Sequence, residues 1–206
     1  EAELTEFVKK LDAPISLSLM GQAAFNNKDP HFVGMLGMHG TKTAALSLKE
    51  CDLMIVLGSR FSDRVALNTK TFAKHTKVLH VEIDPAEIGK NVAPNCYVNG
   101  DLKYVLAELN KALAQESHPE WMAQVEEWEK TYALNMKPIH EADEVLPCDV
   151  IRTLNALAGD NAIITTEVGQ HQMWTAQFYD FTHPRSFASS GGLGTMGYGL
   201  GAAIGA

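Results

Sequence analysis

The residues able to do chemistry sit in short polar loops that follow apolar runs. Gly58-Ser59-Arg60-Phe61-Ser62-Asp63-Arg64 comes directly after LMIVL at 53–57. Two arginines on such a loop can grip a phosphate or carboxylate with forked hydrogen bonds; an Arg–Asp surface pair is the plainer use of the same residues. Glu82-Ile83-Asp84-Pro85 closes a second apolar run, VLHVEI at 78–83, and its first carboxylate suits a ribose hydroxyl or an amide donor. Asn99-Gly100-Asp101 opens a helical pattern, so Asp101 is an N-cap before it is a ligand. Upstream, Gly34, Gly37 and Gly40 in GMLGMHGT let the backbone approach a flat or phosphorylated ligand. Their spacing is not the G-x-G-x-x-G of dinucleotide folds, which argues against a NAD-dependent dehydrogenase. Glu167-Val168-Gly169-Gln170-His171-Gln172 offers a histidine able to bind phosphate, move a proton or cap a helix. The glycines between 191 and 201 serve either close contact with a cofactor or tight helix packing.

Something must hold these loops together. Apolar runs at 14–20, 53–57, 78–83 and 162–166 read as strands, and 4–11, 42–50, 102–114, 148–158 and 169–178 as helical segments. Short apolar strands separated by helices predict an α/β fold, a parallel Rossmann-like sheet flanked by helices. In such sheets ligands bind beyond the carboxyl ends of the strands, where the loops lie. Residues 116–146 differ. Ser117 and Glu120 have capping-box spacing. Trp121, Val125, Trp128 and Tyr132 share one helix face, with Glu126, Glu127 and Glu129 expected on the other. Residues 137–147, with two prolines, read as a linker. From 147 onward an incomplete second α/β unit is expected.

Composition is that of an ordinary globular chain, 46% hydrophobic and 20% charged. The net charge is −8, and 116–144 carries most of the excess, with eight acids against two bases. No concentrated basic surface exists for nucleic acid. The uncharged stretch 186–206 is broken by seven glycines, so no membrane span is expected. Cys51, Cys96 and Cys148 are isolated, which fits a reducing compartment better than a disulfide framework.

Taken in order, GMLGMHGT (34–41), GSRFSDR (58–64), HVEIDPAEIGKN (80–91), EVGQHQMW (167–174) and SSGGLGTMGYG (189–199) resemble the catalytic subunit of acetolactate synthase, a thiamine-diphosphate enzyme. The resemblance spans essentially the whole chain and implies a decarboxylative condensation of pyruvate with a second 2-keto acid. It implies a central FAD-binding domain, N-terminally incomplete, over 1–115, an acidic helix and linker over 116–146, and the start of a thiamine-diphosphate domain over 147–206. The chain thus reads as a piece of a larger enzyme, inactive alone. The glutamate that activates the thiamine ring and the GDG…N motif for Mg²⁺ lie outside it, and no residue here is expected to bind metal. Residue by residue, the resemblance places FAD against Leu36, Gly37, Met38, His39, Gly58, Ser59, Arg60, Phe61, Ser62, Asp63, Arg64, Glu82, Ile83, Gly100 and Asp101. It places Gln170 and His171 at the thiamine diphosphate phosphates, and Gly194, Thr195 and Met196 along the thiamine ring. Gln170 and Met196 are the expected catalytic residues. Gly201 stands where the family has proline. Expected partners are 2-keto acids, further copies of the subunit and a regulatory small subunit, in the cytoplasm or in a plastid or mitochondrion. Glyoxylate carboligase and a non-catalytic nucleotide-binding module are the alternatives.

Overall fold

The computed structural model describes residues 1–134, 145–159 and 161–206. It is an α/β structure in which every strand pairing is parallel. Helix α1 (Ala2–Leu11) leads into β1 (Ile15–Leu17), which pairs with β2 (Phe32–Met35). Helix α2 (Lys42–Glu50) then crosses to β3 (Leu53–Leu57). A one-turn helix α3 (Asp63–Ala66) precedes β4 (Lys77–Glu82) and β5 (Cys96–Asn99), giving a sheet of order β3-β4-β5. Helices α4 (Leu102–Ala112) and α5 (Pro119–Tyr132) follow. The second unit holds α6 (Pro147–Ala158), β6 (Ile164–Thr166), α7 (Gln170–Phe178), β7 (Phe187–Ser189) and α8 (Tyr198–Gly205), with β6 paired to β7.

Local sequence explains the main elements. Leu4, Phe7 and Val8 recur at helical spacing in α1, and Phe7 and Val8 are buried. Thr41 caps α2 by accepting the Ala44 N–H, and Asp101 caps α4 by accepting the Lys103 N–H. Val56, Phe61, Ala66, Val78 and Val92 pack between β3, β4 and their loops. Helices α1 and α4 lie against one another, sewn by the Asn110 side-chain amide on the Glu3 carbonyl (2.9 Å) and by the Lys10 ammonium on the Asn110 carbonyl.

Several expectations change. The run 14–20 is a strand only at Ile15–Leu17, because the Ser18 hydroxyl accepts the Gly21 N–H and winds Leu19–Gly21 into a 3₁₀ turn. Strands β2, β5 and β7 have no clear signal in sequence; each is three or four residues long. The capping box at Ser117 and Glu120 is replaced by a tertiary cap. His118 is the N-cap and its N–H donates to Asp12 Oδ2 at 2.8 Å. That bond, followed by the His31 ring, holds the Asp12 carboxyl below the usual carboxylate range. Glu129 is not on the solvent face with Glu126 and Glu127 but half-buried. Burial, and then the Glu126 charge, push its carboxyl up, so its ionisation opposes folding as pH rises. Of the expected linker, 137–144 lies outside the described residues, and Pro147 is already the first residue of α6.

Candidate cofactor-binding edge

Parallel pairing puts the ends of β3, β4 and β5 side by side, so the loops at 58–64, 82–84 and 99–101 emerge from one edge. They are laced together. Gly58 donates its N–H to the Val81 carbonyl (2.8 Å) and Gly100 its N–H to the Glu82 carbonyl (3.1 Å). The Asn99 amide donates to the carbonyls of Glu82 (2.8 Å) and Ile83 (3.0 Å). The loop after β2 joins the same edge, where Met38 donates its N–H to the Arg64 carbonyl at 2.8 Å. Met38, Phe61 and Ile83 therefore belong to one lined edge and not to separate surfaces.

The members differ in what they present. Gly58, Arg60, Asp63, Arg64, Met38, His39, Ile83 and Asp101 are exposed, while Leu36, Gly37, Ser59, Ser62 and Gly100 are half-buried. Phe61 turns its ring into the core, edge-on to Phe72 and His80. The Glu82 carboxylate, which the sequence offered to a ribose, is buried and accepts the N–H groups of Ile83 (2.9 Å) and Asp84 (3.1 Å). The Asp101 carboxylate is engaged in its helix cap. What remains free is backbone. Among the described residues the N–H groups of Ser59, Arg60, Phe61 and Ser62 donate to no acceptor. With Arg60 and Arg64 exposed beside them, these donors suit an anionic, phosphate-bearing group.

A second constellation forms at the end of β6. Gln170 and His171 are exposed in the first turn of α7, whose leading N–H groups point out of the helix. The Glu167 carboxylate accepts the Gly197 N–H at 2.6 Å, and Thr165 donates its hydroxyl to the Gly199 carbonyl at 3.3 Å. These bonds hold Gly194, Thr195 and Met196 beside the α7 N-terminus. Met196 projects freely, 78% exposed. Beneath, Ser189 Oγ bonds both Thr166 (2.9 Å) and the buried Gln172 (2.6 Å). Glu167, Gln172 and Ser189 lie within the strings noted in sequence but were given no role there, because nothing local distinguishes a side chain that ties two distant loops. The two constellations are themselves linked by Gln177, whose amide donates to the His39 carbonyl (2.8 Å).

An open cavity of about 290 Å³ lies between β2 and the end of α5, lined by Phe32, Gly34, Thr43, Glu129 and Tyr132 among others. Among the described residues no group of three or more His, Cys, Asp or Glu could hold a metal ion, and no helix is long and apolar enough to cross a membrane.

Residues 1–109 match the thiamine pyrophosphate enzyme central domain. Residues 167–206 match the C-terminal TPP binding domain of the same enzymes. The chain is 43% identical to the acetolactate synthase large subunit of Cyanidium caldarium, over 99% of the chain and 35% of that protein. It is 45% identical to the probable acetolactate synthase large subunit of Methanocaldococcus jannaschii, over 98% of the chain and 35% of that protein. It is 42% identical to the acetolactate synthase isozyme 1 large subunit of Escherichia coli K12, over 100% of the chain and 36% of that protein. The chain thus spans about a third of the length of these curated relatives. The resemblance first seen in five short strings extends over the whole sequence, and the chain belongs to the thiamine pyrophosphate enzyme family.

Proposed function

We propose that this chain is a section of an acetolactate synthase catalytic subunit, and that the complete enzyme joins pyruvate to a second pyruvate or to 2-ketobutyrate with loss of CO₂. The observation that carries the reading is identity of 42–45% to three such subunits over nearly every residue of the chain. Thiamine diphosphate, when bound, supplies the nucleophilic carbon and the electron sink for decarboxylation. The chain's own residues orient and hold. The α7 N-terminus, with Gln170 and His171, receives the diphosphate end, since unpaired N–H groups and the helix dipole favour negative charge there. Met196 would lie against the thiamine ring, and the bond from Gly197 to Glu167 fixes the turn that carries it. Holding reacting groups in one geometry replaces a bimolecular encounter. The edge formed by 36–39, 58–64, 82–83 and 100–101 would hold FAD, whose part there would be architectural. The ligands for Mg²⁺ come from outside this chain. The relatives are named large subunits, which supports a smaller partner subunit.

The test is a product assay on an enzyme extended to the relatives' length, supplied with thiamine diphosphate, Mg²⁺ and FAD. Acetolactate from pyruvate is the expected product. Condensation of glyoxylate with no turnover of pyruvate would replace this reading with glyoxylate carboligase.

The domain reading, with 1–115 as an N-terminally incomplete central domain, draws support from β3. Gly58 donates to the Val81 carbonyl and Lys77 donates to the Asp52 carbonyl. In a parallel ladder that parity turns the N–H and C=O groups of Leu53, Ile55 and Leu57 to the sheet's free edge. An all-apolar run belongs inside a sheet, yet β3 ends this one and leaves Leu53 47% exposed. Lengthening the chain upstream is expected to slow hydrogen exchange at the Ile55 amide by at least about tenfold. An unchanged rate would mean that no upstream strand pairs there.

A further inference from the structure

His80 lies at the middle of the central strand β4, paired across to Val56 and Tyr97, and is fully buried. It shares a face with Val56 and Val78 of the apolar cluster beneath the 58–64 loop. An imidazole is a costly choice there. Among the described residues its Nδ1 has no partner, and it has no contact with solvent; a phenyl ring would fill much the same space without burying an unpaired nitrogen. One thing a phenyl ring cannot do is donate. His80 Nε2 lies 3.0 Å from the Ser59 carbonyl, and because a carbonyl only accepts, Nε2 carries the proton. The acidic group facing it is Glu82, whose Oε2 stands 3.9 Å from Nε2, beyond hydrogen-bond distance. The same ring meets Phe61 edge-on, with centroids 5.0 Å apart. Phe61 needs that support. Its φ of +51° is the left-handed region, which a bulky residue adopts only under constraint.

The rest of the loop is held the same way. Gly58 is bonded to Val81, and the Arg60 carbonyl accepts from the Asn91 amide at 3.0 Å. Carbonyls 59 and 60 are thus both taken up by the protein, and the neighbouring N–H groups are left without acceptors. We propose that His80 is a positioning residue, which pins the Ser59 carbonyl and the Phe61 ring so that the 59–62 amides stay presented at the cofactor edge. The inference rests on the reading of that edge as the FAD site only for its consequence; the pinning itself does not need the cofactor.

The experiment compares His80→Phe, which keeps an aromatic ring but removes the donor, with His80→Gln, which restores an N–H. Two readouts are taken on the enzyme extended to the relatives' length: the rate of trypsin cleavage at the Arg60–Phe61 bond, relative to other sites, and flavin affinity by fluorescence quenching. A melting curve checks folding. His80→Phe is expected to melt cooperatively, to be cut after Arg60 about tenfold faster, and to bind FAD about tenfold more weakly, the scale set by one half-buried carbonyl left unpaired. His80→Gln is expected to return both to within about threefold of the parent chain. A His80→Phe chain cut at the parent rate overturns the proposal, as does a folded His80→Gln chain cut as fast as His80→Phe. If His80→Phe does not fold, the cleavage rate of His80→Gln decides: the parent rate supports pinning and a tenfold rise refutes it. A parent chain that binds no FAD, yet shows the predicted cleavage pattern, removes the cofactor reading and leaves the pinning intact.

Discussion

Phe181→Ala is expected to lower the unfolding free energy by about 3–5 kcal/mol, the range for emptying a buried aromatic site. Phe181 is 1% exposed. Its ring lies 5.0 Å from those of Tyr179 and Phe187, and it packs in one cluster with Ala23 from the first unit. The backbone repeats the connection, since Asn27 donates its N–H to the Phe181 carbonyl at 2.9 Å. The residue therefore holds the chain after α7 against the segment that precedes β2. A domain's total stability is about 5–15 kcal/mol, so the loss consumes a large share of it. Urea unfolding followed by circular dichroism measures the change. A loss below about 1 kcal/mol would mean that the surrounding rings close over the gap.

Gly37→Ala is the second large effect, and it falls on the cofactor edge. Gly37 has φ +119°, and a Cβ there would stand 2.6 Å from the Arg64 carbonyl oxygen. The substitution strains the backbone by about 1–3 kcal/mol and pushes the loop off the carbonyl that accepts the Met38 N–H. Flavin affinity is expected to fall by about five- to 150-fold, the fold-change that a penalty of about 1–3 kcal/mol gives. Gly192→Ala is the control, because its Cβ would meet nothing within 4 Å. It is expected to stay within about 0.5 kcal/mol of the parent in stability and to bind flavin unchanged. If Gly37→Ala binds flavin like the parent, the loop at 36–39 is not part of the site.

Much of this was legible in the sequence. The helix at Lys42–Glu50 and the strand at Leu53–Leu57 fall where periodicity and apolar runs put them, because each carries enough residues to express its own pattern. Asp101 caps α4 as its position suggested. Family membership was legible too, since five strings in a fixed order carry more information than any one glycine spacing. Strands of three or four residues were not legible. β5 is exposed along its whole length and is a strand only because β4 offers it partners.

The sequence by itself determined the α/β class, the order of the loops and the residue types within them, since these follow from local periodicity and from motif. Only the tertiary structure decided what each side chain is free to do. It turned Phe61 and the Glu82 carboxylate inward, gave α5 its cap from Asp12, more than a hundred residues upstream, and drew Glu129 partly out of solvent. The physical reason is the same in each case. A polar atom binds whichever partner the packed chain brings within about 3 Å, and residues distant in sequence become neighbours only when burial of the apolar strands has closed the fold.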